Sequence, residues 1–189
     1  MNVKLKLGVA LFILGLFGVF TMLTITIPLD SLPKEVLEKI SPSTLKYLVL
    51  INPTILLLIA VVIGTLLFDK VGFSVPTIST ILKIEQPKIK FIEQIKFGIL
   101  LGLLTGILTT VTGLIFKTSL PQEFIDIGNK IKITTIARFG YGGITEELLM
   151  RFGFMTLVVW IIFKITKKLG NSTYWTGIIL ASIIFAVGH

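Results

Sequence analysis

Two adjacent glutamates and an arginine interrupt a long apolar stretch of the sequence. Glu146, Glu147 and Arg151 lie between residues 139–144 and residues 152–163, two runs that carry no charge. Ionisable groups at membrane depth cost roughly 2.5–3.5 kcal/mol each on insertion scales, so they are usually paired, turned inward and functional. The pattern marks these three side chains as candidates for chemistry inside a membrane.

Helix geometry separates the two carboxylates. Residues four apart stack on one helix face, and an acid placed N-terminal to its base has the better orientation for an ion pair. The spacing predicts that Glu147 pairs with Arg151, whereas Glu146, about 100° further round the helix, points elsewhere. A partly dry carboxylate outside the pair suits a general base. The alternative is a structural ion pair with a second glutamate at a wet helix end.

The last residue of the sequence, His189, is its only histidine. It lies on the apolar segment that follows the one carrying Glu146. Measured from the loop between the segments, we expect the two side chains within about one helical turn of the same depth. Together, a carboxylate and a neutral imidazole can hold and deprotonate one water molecule. The alternative is a histidine that only packs or hydrogen-bonds in the bundle.

Metal and thiol chemistry have little support in the residue types. The chain has no cysteine, which excludes a thiolate metal site and a cysteine nucleophile. Glu146 and His189 could contribute to a zinc site, but two ligands are too few for zinc without others. We therefore expect no cofactor.

The composition indicates a membrane protein. Hydrophobic residues make up 53% of the 189 residues and charged residues only 15%, against roughly 25% in an average soluble domain. The net charge of +8 comes mainly from lysines between apolar runs, as is typical of loops that set membrane orientation. We therefore expect no nucleic-acid partner, and a cell-membrane location with a cytoplasmic N-terminus, which places more of these lysines inside than outside.

The apolar runs predict an all-α fold, a multi-pass transmembrane helix bundle with about five membrane segments. These segments cover approximately residues 7–27, 47–68, 97–116, 133–165 and 174–189. We expect two regions: residues 1–96, with two spans and an amphipathic connector, and residues 97–189, which carry the charged motif.

Three further features refine this architecture. A short interfacial helix is expected at residues 31–40. A stripe of small residues on the third segment is expected to pack inside the bundle, with a dimer contact as the alternative; it consists of Gly98, Gly102 and Gly106. The fourth segment exceeds the roughly 20 residues of one span, so a break or steep tilt is expected near its glycines, which are Gly140, Gly142 and Gly143.

The pattern Glu146-Glu147-x-x-x-Arg151, followed by Phe185-x-x-x-His189 on the next segment, resembles the first two motifs of the CPBP family of intramembrane proteases. This family comprises CAAX proteases and bacteriocin-processing proteins and is also called Abi. The resemblance covers residues 97–189. It implies an endopeptidase that hydrolyses a peptide bond in a membrane-associated or prenylated peptide, with Glu146 activating the water, His189 binding it, and Glu147 with Arg151 orienting the helix.

The sequence departs from the family pattern in two places. Phe152 follows Arg151 where members often have glycine, and the sequence ends before the third motif, a histidine with Asn or Asp four residues later. That motif would stabilise the oxyanion, a role worth about 3–4 kcal/mol per donor. Residues 97–189 are thus expected to be a partial protease core, either truncated or without catalysis.

Other functions fit the same residues. One is a non-enzymatic membrane scaffold or a bacteriocin self-immunity protein that binds a peptide in the same cavity. Another is a small transporter that uses Glu146 for proton coupling. The expected partners are the lipid bilayer and, for the protease, a membrane-associated peptide or protein substrate.

Overall fold

The computed structural model describes residues 2–26, 39–84 and 91–188. All regular elements in these ranges are helical, and the one β-type pairing there is an isolated antiparallel bridge between Thr26 and Lys132. The predicted all-α fold is confirmed.

The helices follow the predicted apolar segments closely. In chain order they are α1 (Val3–Thr21), α2 (Pro42–Leu48), α3 (Ile51–Leu67), α4 (Pro76–Ile81), α5 (Phe91–Phe116), α6 (Gln122–Lys130), α7 (Thr135–Thr166) and α8 (Asn171–Val187). Single 3₁₀ turns follow three of them, at Met22–Thr24, Phe68–Val71 and Lys117–Ser119.

Four stretches of the described chain are long and apolar enough to cross a membrane: Val3–Thr24, Ser43–Val71, Phe91–Ser119 and Thr135–Thr166. The fifth predicted segment forms α8, which is apolar but has only 17 residues in the described range. The architecture is that of a multi-pass membrane helix bundle.

Local sequence signals set several helix ends. The side chains of Asn2, Ser41 and Thr134 accept hydrogen bonds from backbone amides in the first turns of α1, α2 and α7, which satisfies donors that a helix start leaves open. α3 begins at Ile51, so Pro53 lies in its first turn, where proline is tolerated. Between α2 and α3, Val49 and Leu50 keep a right-handed helical backbone, so the two helices together form one apolar stretch.

Some predictions lie outside the described residues. Most of the interfacial helix expected at residues 31–40 belongs to the range 27–38, and the connector residues 85–90 belong to the second gap. The described part of the connector contains α4, which ends at Ile81, and the start of α5 at Phe91.

The motif helix α7 lies at the centre of the bundle, where it packs against α1, α3 and α8. A core of buried aliphatic side chains joins α1, α3 and α7. It consists of Leu7, Leu11, Val19, Leu50, Leu57, Val61 and Leu148. Small residues bring the backbones together, as they commonly do in membrane bundles. A Cβ added at Gly153 of α7 would lie 2.5 Å from the Cβ of Ala60 on α3. That is too close for two carbon atoms, so only glycine fits at this position.

Contacts between helix termini show which helix ends lie at the same end of the bundle. Lys4 Nζ lies 2.7 Å from Asp69 Oδ2, and the Tyr174 hydroxyl donates to the Val71 carbonyl over 3.0 Å. The start of α1, the end of α3 and the start of α8 therefore lie at one end of the bundle. At the opposite end, Thr24 hydrogen-bonds Thr134 through their side chains, which joins the end of α1 to the start of α7.

Helix α5 is the exception to this packing. None of its residues is buried, and a Cβ added at Gly98, Gly102 or Gly106 would meet no other atom within 4 Å. The prediction that this stripe packs inside the chain is wrong for the described residues. An apolar helix can remain in this state because lipid tails solvate it as well as neighbouring leucines do.

Candidate functional site

The backbone of α7 is wound unusually around the two glutamates. The segments Arg138–Thr145 and Leu148–Met155 are π-helical, and Glu146 and Glu147 lie between them. The Glu146 amide donates to the carbonyl of Tyr141, five residues earlier. π-helical turns are rare and are found frequently at functional sites. The expected break near the glycines is absent, because the helix continues through them with this wide winding; the alternative, a steep tilt, stays a prediction.

Two residues beside the glutamates fix the rotation of α7. Thr145 is completely buried, and its hydroxyl donates to the Gly15 carbonyl of α1 over 2.8 Å. Leu148 is buried in the core, close to Gly15, where an added Cβ would lie 2.9 Å from the Leu148 Cδ1. Because residues 145 and 148 face α1 and α3, Glu146 and Glu147 are turned towards α8.

A cavity of about 530 Å³ lies between α7 and α8. It is lined from α7 by Gly142, Glu146, Glu147, Met150, Arg151 and Met155, and from α8 by Trp175, Ile178, Ala181, Ser182 and Phe185. Ligand cavities typically measure roughly 300–1,000 Å³ and combine an apolar lining with a few polar groups. This cavity has that character, since its charges stand on one wall and its aromatic side chains on the other.

The predicted ion pair forms on the α7 wall. Arg151 Nε lies 3.0 Å from Glu147 Oε2, and the two side chains keep 72% and 47% of their surface exposed. The pair brings the guanidinium and one carboxylate together on this wall, as the four-residue spacing predicts.

Glu146 lies in the same cavity as that pair, although the α-helical geometry predicted that it would point elsewhere. It is half-buried, whereas Glu147 is exposed. A Cβ added at Gly142 would lie 3.6 Å from Glu146 Oε2, so Gly142 is a near neighbour of the carboxylate. The two glutamate side chains leave the helix in different directions, but the cavity is wide enough to include both.

His189 lies outside the described residues, so its pairing with Glu146 stays a prediction. The described part of the second motif does reach the site, because Phe185 lines the cavity. Helix α8 also runs directly beside α7. The two motifs are thus on neighbouring helices, as their order along the chain predicts.

Most of the cavity lining was not predicted from the sequence. Trp175, Ile178, Ser182 and Phe185 recur at helical spacing on α8, which is the signal that could have grouped them. That signal is weak because α8 is apolar almost all round, and a membrane helix needs no polar face to mark its exposed side. On α7, Met150 and Met155 likewise looked like ordinary membrane residues.

Within the described ranges, no group of three or more His, Cys, Asp or Glu side chains is arranged to hold a metal ion. The two ligands considered for zinc were Glu146 and His189, and the second of these lies outside those ranges.

No protein-family model, no curated protein and no solved structure matches this chain. The resemblance to the CPBP proteases therefore rests on the motif residues and their spacing.

Proposed function

We propose that this chain is an intramembrane endopeptidase of the CPBP type, which hydrolyses a peptide bond in a membrane-associated or prenylated peptide. The observation that carries the proposal is the cavity between α7 and α8. It brings Glu146, Glu147 and Arg151 to one wall of a largely apolar pocket between two helices of a membrane bundle. Charged groups in such a position are costly and generally functional.

In this mechanism Glu146 is the general base. Its half-buried carboxylate takes a proton from a water molecule as the water oxygen attacks the scissile carbonyl carbon. The protonated carboxyl then gives the proton to the departing amine as the carbon–nitrogen bond breaks. His189 would hold the attacking water, and Glu147 with Arg151 would keep the α7 wall oriented.

The opposite wall would bind the substrate. Trp175 and Phe185 offer apolar surface for a hydrophobic side chain or a prenyl group. Met150 and Met155 lie beside the charged residues, and methionine adapts its shape to different partners. Hydrolysis at this position would require water to reach Glu146.

The proposal includes an orientation in the cell membrane, with the N-terminus in the cytoplasm. Contacts support it by joining lysine-rich segments at one end of the bundle. Lys4 pairs with Asp69, which is followed by Lys70, and Tyr174 of α8 contacts Val71. The last turn of α7 carries Lys164, and the loop before α8 carries Lys167 and Lys168. Positive residues concentrate in cytoplasmic loops.

The test is Glu146→Gln in the longest reading frame that contains this chain, with a membrane-anchored peptide as the reporter. Loss of a general base lowers a rate by roughly 10²–10⁴-fold, so processing should fall by at least about a hundredfold. Glu93→Gln is the matched control, since Glu93 is exposed on α5 and is not among the residues that line the cavity. Processing that continues at the original rate in a folded Glu146→Gln variant would refute the proposal.

A peptide-binding protein without catalysis, such as a scaffold or self-immunity protein, is the second candidate. The cavity volume fits this function as well as it fits a protease, because 530 Å³ holds a large side chain whether or not a bond is cut. In that case the reporter peptide would bind the wild-type protein and remain intact. Binding would also survive Glu146→Gln combined with His189→Ala.

A further inference from the structure

Three glycines, Gly140, Gly142 and Gly143, precede the glutamates on α7. The helix continues through all three, so they do not serve to interrupt it. Glycine is unfavourable inside a helix, because it loses more conformational freedom on folding than alanine does. The surroundings of the three positions differ, and the differences separate their roles.

The first and the third glycine lie away from the cavity. Gly140 is buried, and a Cβ added there would lie 2.5 Å from Thr21 Cγ2 of α1, so the packing of the two helices requires glycine. Gly143 is exposed, and a Cβ added there would come no closer than 3.9 Å, to the Arg138 carbonyl oxygen. Neither glycine lines the cavity.

Gly142 is the one of the three that lines the cavity. A Cβ added there would lie 3.6 Å from Glu146 Oε2, an ordinary van der Waals distance. Apart from its chain neighbours and the backbone of its own helix, it would meet no other described atom within 4 Å. The backbone does not require glycine either, since Gly72 is the one described glycine with a positive φ. Neither packing nor conformation therefore explains Gly142.

The missing side chain leaves open space beside the Glu146 carboxylate. Helical side chains lean towards the N-terminus of their helix, and Glu146 accordingly reaches back towards Gly142, four residues earlier. The space between them belongs to the cavity that both residues line. A water molecule bound to a carboxylate oxygen lies about 2.5–3.0 Å from it. A methyl carbon 3.6 Å from Oε2 would cover that oxygen on the Gly142 side.

We propose that Gly142 is a positioning residue, which keeps the place of the attacking water open beside Glu146. This inference rests on the proposed function. In that reaction the water oxygen bonds to the scissile carbonyl carbon while one water proton passes to Glu146 and then to the departing amine. The water has to lie between the carboxylate and the peptide, in cavity space that a side chain at position 142 would enter. A displacement of about 1 Å in such a site can cost roughly a hundredfold in rate.

The test is Gly142→Ala in the longest reading frame that contains this chain, with the membrane-anchored reporter peptide as substrate. We expect kcat to fall by roughly tenfold to a hundredfold, with KM unchanged, because the methyl group displaces the water and not the peptide. The melting temperature should equal or exceed that of the wild type, since alanine favours a helix and its methyl group meets no clash. A glycine needed only for packing would give the opposite change in stability.

The two neighbouring glycines provide matched controls. Gly143→Ala makes the same substitution one position further along the same helix, outside the cavity lining. It should bring the same gain in helix propensity and leave kcat at the wild-type value. Gly140→Ala represents the packing role, and it should lower the melting temperature because its Cβ would collide with Thr21.

Several results would overturn the role of Gly142 while leaving the proposed function intact. They are a wild-type kcat for Gly142→Ala, a loss confined to KM, an equal loss of kcat in Gly143→Ala, and a melting temperature of Gly142→Ala well below that of the wild type. A wild-type protein that leaves the reporter peptide intact would instead refute the proposed function, and this inference with it. The two failures are therefore told apart by the wild-type measurement.

Discussion

Thr145 on α7 and Gly15 on α1 are joined by a buried hydrogen bond, in which the threonine hydroxyl donates to the glycine carbonyl over 2.8 Å. Thr145 has no exposed surface and directly precedes Glu146. The bond therefore sets the rotation of α7 about its axis at the point where the rotation decides the direction of both glutamates. An apolar helix has few other features that distinguish one rotation from another.

Replacing Thr145 by valine should lower the free energy of unfolding by about 0.6–1.5 kcal/mol, the range for one lost hydrogen bond between membrane helices. The measurement is thermal unfolding in detergent, followed by tryptophan fluorescence. Thr110→Val is the matched control, because Thr110 is exposed on α5 and bonds only the Gly106 carbonyl of its own helix. Equal melting temperatures for Thr145→Val and the wild type would contradict the anchoring role.

Gly18→Ala should destabilise the bundle by about 1–3 kcal/mol, as overpacking of a close contact does. An added Cβ at Gly18 would collide with Thr145 Oγ1 and with the Gly140 carbonyl, and it would force α1 and α7 apart. The same substitution at Gly102 meets no atom within 4 Å. Gly102→Ala should therefore leave stability unchanged or raise it by up to about 1 kcal/mol, because alanine favours a helix. If both variants melt alike, the close contact of α1 with α7 is not important for stability.

Breaking the Glu147–Arg151 pair should affect processing more than stability. Glu147→Gln should change the free energy of unfolding by no more than about 0.5 kcal/mol, because the pair is exposed. Processing of the reporter peptide should nevertheless fall, since the guanidinium loses its fixed position on the cavity wall. The exchange Glu147→Arg with Arg151→Glu retains the pair in the opposite order and should recover part of the activity. A double variant no better than either single variant would argue against a role for the pair.

Filling the cavity should block the site without unfolding the protein. Ser182→Phe adds an aromatic ring from an exposed position in the α8 wall, so the reporter peptide should neither bind nor be cleaved. Ile179→Phe is the control, because Ile179 is 53% exposed on the same helix and is not part of the lining. The measurement is peptide binding by fluorescence anisotropy together with processing. Normal binding to Ser182→Phe would show that the substrate lies elsewhere.

Removing the Tyr174 hydroxyl should loosen α8 at its first turn. The hydroxyl donates to the Val71 carbonyl over 3.0 Å, and the Tyr174 ring lies 5.6 Å from that of Phe73. Tyr174→Phe keeps the ring contact and loses one hydrogen bond, so stability should fall by about 0.5–1.5 kcal/mol. Tyr47→Phe is the control, since Tyr47 is 64% exposed. Hydrogen exchange at residues 171–175 should rise in Tyr174→Phe, and no rise would contradict the tether.

Much of this structure follows from the sequence alone. The apolar runs determined where the helices lie, because a segment in lipid must satisfy its backbone internally. The four-residue spacing determined the Glu147–Arg151 pair, because residues four apart meet on one side of a helix. Both properties depend on neighbours close along the chain, and local geometry is enough to predict them.

The tertiary structure decided everything that depends on which helix face meets which neighbour. It directed both glutamates towards one cavity, and it left the glycine stripe of α5 without a packing partner among the described residues. The sequence was silent on these points because an apolar helix in lipid has no solvent-facing side to mark its orientation. The orientation comes instead from a few close contacts, such as that of Thr145 with Gly15, between residues far apart in the chain.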